Sequence, residues 1–312
     1  MNKVLITDPI DQSGIDILSQ VAQVDQKIGI SESDLAAIIQ DYDALMIRSG
    51  TQVTGQIINS SKNLRIIGRA GVGVDNVDVK AATQKGVLVV NSPGGNTIAA
   101  AEHTIAMMLA LSRNIPIANS SMFEGKWERK KFVGNELFKK KLGVVGLGKI
   151  GTHVAKVANA MGMEVLGYDP FVSNERAQQL QVKLSELDIL FQDSDYVTLH
   201  LPRTVETENL VDIKVLKSMK NTAKLINCAR GGIIDEEALA EALNNSLIGG
   251  AAIDVYSEEP LNANSPLLKV EKNLILTPHL GASTKEAQEN VAIDVAEQIR
   301  DVLLGLSART AV

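Results

Sequence analysis

Several things are scarce in this chain, and each scarcity removes a class of answer. There is one cysteine, Cys228, so no internal disulfide can form. Nothing at the start reads as a secretory signal, and a reducing, cytoplasmic setting is the expectation. No apolar run has the length a bilayer demands. The most apolar helical stretch, TIAAAEHTIAMMLALS from Thr97 to Ser112, is too short and carries Glu102 and His103 inside it, so a buried helix is expected. An excess of basic charge is also missing. The 31 Lys and Arg against 37 Asp and Glu leave a net charge of -6, which argues against general nucleic-acid binding and leaves local basic patches open. Low-complexity tracts and repeats of solenoid period are absent. What remains is a chain of 312 residues with 45% hydrophobic and 22% charged residues. That is the composition of a globular protein, at a length comfortable for two domains.

Short apolar runs alternate with helical patterns from end to end. KVLITD, DALMIRS, LRIIGRAG and VLVVNSP read as strands in the first part. DQSGIDILSQV, SESDLAAIIQ, TGQIINSS and NVDVKAATQKG read as helices between them, with Ser31, Thr54 and Asp78 as caps. A second series follows: KLGVVGLG, EVLGYDP, DYVTLHLP, KLINCARGG, GGAAIDVY and NLILTPHLG, separated by helices such as IGTHVAKVANAM and DEEALAEALNN. The pattern predicts an α/β protein of two doubly wound parallel-sheet, Rossmann-like domains. The last helical pattern, STKEAQENVAIDVAEQIRDVLLG, is expected to return to the first domain. The second would then be inserted into it, with residues 1–95 and 284–312 forming one domain and 96–283 the other.

The most specific local signal is GLGKIG. Gly146, Gly148 and Gly151 follow a strand and open a helix. The first glycine permits a tight turn, the second admits a pyrophosphate to the backbone, and the third lets helix and strand pack closely. Free N–H groups and the helix dipole then hold the phosphates. Asp169 ends the next strand, about twenty residues on, where a carboxylate accepts from ribose hydroxyls and repels a 2′-phosphate. The expected cofactor is NAD, and no metal is expected. In the first domain GRAGVGVD aligns Gly71 and Gly73 with that pattern, but Asn76 stands where the third glycine belongs. Its N–H groups suit a smaller anion, such as a substrate carboxylate.

NAD needs a partner for hydride, and a proton moves with it. Arg230 after LINCA, Glu259 in AIDVYSEEP and His279 in LILTPHLG lie on different strand ends of the second series, where open α/β sheets bind ligands. An imidazole is a natural proton shuttle near neutral pH, and a carboxylate beside it would fix its tautomer. A guanidinium binds a carboxylate and polarises a carbonyl. Taken singly, Arg230 also reads as a surface arginine, His279 as a satisfied loop histidine, and Glu258 and Glu259 as a solvated acidic turn. Their joint placement after the cofactor loop favours a site.

GLGKIG, NCARGGIIDEEAL, AIDVYSEEP and TPHLGAST resemble the D-2-hydroxyacid dehydrogenase family in order and spacing, and the resemblance covers essentially the whole chain. It implies His279 as acid/base, Glu259 as its partner and Arg230 as ligand of the substrate carboxylate and carbonyl. It implies cofactor contacts at Lys149, Ile150, Pro202, Cys228, Ala229, Asp254 and Gly281, with Asp254 holding the nicotinamide carboxamide. RAGVGVDNVD, NSPGGNTIAAAEHT and GKWERKKF are most similar to members that act on a phosphorylated 2-hydroxy acid. That implies substrate contacts at Arg48, Arg69, Gly71, Val72, Gly73 and Arg129, the last from its own or a neighbouring subunit. Val72 stands where some relatives have threonine. The lysines beside Arg129 also read as a solvated basic loop. The family dimerises through elements like the Thr97–Leu111 helix and the arm through Trp127, so a homodimer or higher homo-oligomer is expected. Two rivals remain: a reductase of an unphosphorylated acid in the same family, and an NAD-sensing binding protein.

Overall fold

The computed structural model describes residues 1–312. The chain divides into two units, Met1–Thr97 with Ala282–Val312, and Ile98–Gly281 between them.

The first unit is a five-stranded parallel sheet. Its strands are β1 (Asn2–Ile6), β2 (Ala22–Gln26), β3 (Ala44–Ile47), β4 (Ile66–Arg69) and β5 (Leu88–Asn91), in the order β2-β1-β3-β4-β5. Every residue of the β3 run ALMI is buried, as expected for a strand covered on both faces. β2 was not expected from sequence. Its segment AQVDQ pairs with β1 alone and buries only Ala22, so an edge position leaves it without the apolar signature of a central strand. The helix Lys285–Leu303 places Val291, Ala292, Val295, Ala296 and Ile299 in one core with Val4, Ile6, Met46 and Ile66. Ser31 and Asp78 cap their helices by accepting from Asp34 N and Ala81 N. Thr54 stands at its helix start but does not cap it: its hydroxyl donates instead to Glu32 Oε1 at 2.7 Å.

The second unit is a seven-stranded parallel sheet. Its strands are β6 (Lys141–Val145), β7 (Glu164–Tyr168), β8 (Lys183–Leu184), β9 (Tyr196–Leu199), β10 (Lys224–Asn227), β11 (Gly250–Ile253) and β12 (Leu274–Leu276), in the order β12-β11-β10-β9-β6-β7-β8. The winding reverses between β6 and β9, the switch point at which doubly wound sheets open a crevice. β9, β10 and β11 are buried throughout. The two-residue edge strand β8 was not read from sequence. The apolar helix Thr97–Ser112 buries nine of its sixteen residues and leaves Ile98 and Glu102 exposed. No helix is long and apolar enough to cross a membrane.

Candidate active site

The glycine loop leaves β6 with Gly146 at φ +96, and Gly146 N donates to Tyr168 O at 2.8 Å. A Cβ on Gly146 would meet the backbone oxygen of His200 at 2.5 Å, and one on Gly151 would run into the carbonyl oxygen of Gly146. Only glycine lets the helix Lys149–Ala160 begin this close to its strand. A Cβ on Gly148 would meet nothing within 4 Å, and Gly148 and Lys149 are exposed, with Ile150 half-buried. The helix start therefore faces open space with no side-chain cap on its first N–H groups, which is what a pyrophosphate requires. Asp169, half-buried beyond β7, accepts from Leu147 N at 2.8 Å and Phe171 N at 2.9 Å. Its carboxylate thus latches the glycine loop and keeps acceptor capacity for ribose hydroxyls. The residues present fit a dinucleotide. Pro202, exposed beyond β9, accepts from Thr207 Oγ1 through its carbonyl at 2.7 Å.

Beyond β10 the chain turns through Cys228, Ala229 and Arg230. Asn227, buried at the strand end, shapes this turn. Its Oδ1 accepts from Ala229 N at 3.0 Å and its Nδ2 donates to Arg230 O at 2.9 Å. Arg230 is half-buried and donates through Nη1 to Ala229 O at 2.6 Å. A Cβ on Gly231 would run into the backbone of Tyr256, so the loops after β10 and β11 lie in contact only because this residue is glycine. Burial pushes the Cys228 thiol up to about 12, with the Asp254 charge adding to it. It is a packed, protonated thiol at neutral pH.

His279 and Glu259 meet. Nδ1 of His279 lies 2.7 Å from Glu259 Oε2, and Glu259 Oε1 accepts from Tyr256 N at 3.0 Å. A carboxylate has no proton to give, so Nδ1 carries the hydrogen and Nε2 is left as the reactive nitrogen. Partial burial pushes the Glu259 carboxyl up, but the hydrogen bonds from His279 and Tyr256 N together hold it below its ordinary value. Tyr256 registers the two loops: its buried hydroxyl lies 2.9 Å from Thr277 O, two residues before His279. His279 itself sits at φ +53, in the left-handed region uncommon for a residue with a Cβ. Its N–H donates to Asp254 O at 2.9 Å, which holds it there.

Asp254 is fully buried beyond β11. Its Oδ1 accepts from Thr277 Oγ1 at 2.5 Å and Leu280 N at 2.8 Å, and its Oδ2 from Gly281 N at 2.8 Å. His103 Nε2 lies 3.2 Å from Oδ1. Burial pushes this carboxyl up, and the bonds from His103, Thr277 and Leu280 N hold it below its ordinary value nonetheless. Sequence reasoning missed His103, Asn227 and Tyr256. The one visible signal was a histidine, beside Glu102, inside a largely apolar helix.

In the first unit Gly71, Val72 and Gly73 follow β4, and Arg48 follows β3. Asn76 straps these loops together through Nδ2, at 2.7 Å from Arg48 O and 2.6 Å from Thr51 O. Asp8 Oδ2 holds the same loop from below through Arg48 N at 2.6 Å. The Arg69 guanidinium lies over Gly71, where a Cβ would meet it. Arg129 is exposed in the turn Arg129–Phe132. Its neighbours Lys126 and Lys131 pair with Glu124 and Glu128.

Known proteins are similar to this chain in sequence and fold. The chain is 63% identical over 312 residues to a D-3-phosphoglycerate dehydrogenase of Synechocystis, covering all of this chain and 56% of that protein. It is 50% identical over 311 residues to one of Archaeoglobus fulgidus, covering 99% of this chain and 59% of the relative. The chain thus spans little more than half the length of these relatives. A Thermus thermophilus protein of known structure superposes with a TM-score of 0.92 at 31% identity, over 99% of both chains. Residues 105–281 match the model of the D-isomer specific 2-hydroxyacid dehydrogenase NAD binding domain. With the glycine loop, the acid beyond β7 and the His279–Glu259 pair all inside that matched stretch or unit, the chain belongs to the D-isomer specific 2-hydroxyacid dehydrogenase family.

Proposed function

We propose that the chain is an NAD-dependent dehydrogenase that oxidises 3-phospho-D-glycerate to 3-phosphohydroxypyruvate, the entry to serine synthesis, in a reducing cytoplasm. The His279–Glu259 pair, in the same unit as an open dinucleotide loop, carries the reaction class. The identity to named phosphoglycerate dehydrogenases supports the substrate.

Bound NAD supplies a hydride acceptor at its nicotinamide C4. His279 Nε2 takes the proton of the substrate C2 hydroxyl as the C2 hydride leaves, and the Glu259 carboxylate balances the imidazolium through Nδ1–H. Arg230 holds the substrate carboxylate and polarises the developing carbonyl. Gly146, Gly148, Lys149, Ile150 and Gly151 hold phosphates, Asp169 the ribose, and Pro202, Cys228, Ala229, Asp254 and Gly281 the rest of the cofactor. Arg129 is assigned to the substrate phosphate, and Arg48, Arg69 and Gly71 to Gly73 to its other oxygens. The chain is a homodimer in this reading. Support comes from the exposed apolar side chains Ile115, Ile117, Met122, Phe123, Trp127 and Val133, which lie close together in sequence and are exposed by 53, 54, 54, 87, 75 and 79%. Light scattering at the mass of one chain would remove the dimer.

The test is NADH oxidation with 3-phosphohydroxypyruvate, hydroxypyruvate and glyoxylate at equal concentration. A strong preference for the phosphorylated acid, reduced in Arg129→Ala, is expected. Preference for an unphosphorylated acid would overturn the substrate and keep the mechanism. NADH binding without turnover would point to a binding protein.

A further inference from the structure

We propose that His103 is a positioning residue for the cofactor: its Nε2, beside Thr277 Oγ1 and Asp254 Oδ1, holds the Asp254 carboxylate charged and oriented, with Oδ2 as acceptor for the nicotinamide carboxamide. The inference rests on the assignment of Asp254 to that carboxamide.

The protonation pattern follows from counting donors. Thr277 has a single hydroxyl proton, and it is given to Asp254 Oδ1 at 2.5 Å. Thr277 Oγ1 therefore only accepts from His103 Nε2, 3.4 Å away. The carboxylate Oδ1 at 3.2 Å from the same nitrogen also only accepts. Both neighbours call for a hydrogen on Nε2. Oδ1 takes Thr277 Oγ1 and Leu280 N as donors and has His103 Nε2 3.2 Å away, while Oδ2 takes one donor, from Gly281 N. The two oxygens are made unequal, and the one with spare acceptor capacity is set.

The helix Thr97–Ser112 keeps His103 in place. One turn on from it, Met107 Sδ lies 3.9 Å from Thr277 Oγ1, so two residues of one helix face cover the same hydroxyl. The ring is only one-fifth exposed, so water does not readily replace its N–H. Without that neighbour the buried carboxylate loses an interaction that favours its charge. A protonated Asp254 offers the carboxamide NH2 a donor where an acceptor is needed, and a rotated one moves the acceptor away. His103, Cys228 and Asp254 bring three possible metal-ligating atoms within 4.8 Å of one another, but the thiol is held protonated by burial, which suits hydrogen bonding and not metal capture.

The test is direct NADH titration of the full chain, by nicotinamide fluorescence and by calorimetry, without substrate. His103→Leu is expected to weaken NADH about tenfold, the size of one hydrogen bond to a charged group. His103→Gln, whose amide reaches the same place, is expected to stay within about threefold of the unaltered chain. At saturating NADH the KM for the keto acid should not move. Equal binding by His103→Leu and the unaltered chain would overturn the proposal. So would equal weakening in His103→Gln, since the ring and not the donor would then matter. Should His103→Leu fail to fold, His103→Asn against His103→Gln asks the same question, because Asn is one methylene short. Failure of the unaltered chain to bind NADH would overturn the proposed function itself, an outcome distinct from the other two.

Discussion

In the first unit β4 runs into Ala70-Gly71-Val72-Gly73, and no helix starts until Val79, capped by Asp78. In the second, β6 runs into Gly146-Leu147-Gly148 and the helix starts at once, at Lys149. Both are parallel sheets with glycines at the turn after a strand, yet only one opens a helix N-terminus there. The difference sits at one position. Gly151 lets the helix press against the strand, because a Cβ there would strike Gly146 O. Asn76, at the matching position, spends its side-chain amide strapping the Arg48–Thr51 loop. A doubly wound sheet supplies the place for a site; single residues at the turn decide what the place can hold.

The sharpest way to break this comparison is to remove the chemistry from the second unit and leave its cradle. His279→Ala is expected to lower kcat about a thousandfold with NADH binding unchanged, read by steady-state rates beside a fluorescence titration. Loss of NADH binding along with turnover would mean that the cradle and the acid/base group are one structure. Next comes an exchange of the deciding residues. Gly151→Asn should weaken NADH by at least about a hundredfold, since backbone must move to admit a Cβ. Asn76→Gly should leave NADH binding alone. It loses two hydrogen bonds, for a cost of about 2 kcal/mol in a thermal or denaturant melt. If Asn76→Gly weakened NADH as much as Gly151→Asn did, the division of labour between the units would fall.

The exchange also marks what the sequence could and could not disclose. ALMI, YVTL and KLIN announce central strands because burial on both faces demands unbroken apolar runs. AQVDQ in β2 does not, since an edge strand has one neighbour and little to bury. GLGKIG is local, and its three glycines act within a single turn. Asn76, Asn227, Tyr256 and His103 act through partners that only the fold supplies. His103 and Asp254 lie 151 positions apart in sequence, and no periodicity connects them. Thr54 shows the same limit on a smaller scale. Its place at a helix start was readable, but its preference for Glu32 Oε1 over its own helix was not. Residues that carry a site by contact with ligand are visible as types at strand ends. Residues that hold those carriers in place are visible only as contacts.

The smallest expected effect separates the units by acid. All four histidines, His103, His153, His200 and His279, lie between Ile98 and Gly281, so the first unit has none. His200 follows β9, donates its N–H to Val145 O at 2.7 Å and places Nε2 at 3.0 Å from Thr198 Oγ1. Burial pushes its imidazole down from 6.5 to about 4. Between those values the folded ring is neutral while the unfolded chain binds a proton. Its contribution to stability is therefore complete above about 6.5 and shrinks as pH falls toward about 4. The slope cannot exceed about 1.4 kcal/mol per pH unit for one group, so about 1 kcal/mol between pH 6 and pH 5 is expected. His200→Gln keeps a polar partner for Thr198 and does not titrate. Its Tm should fall less than that of the unaltered chain between those two pH values. Parallel Tm curves would show that the ring reaches water in the fold.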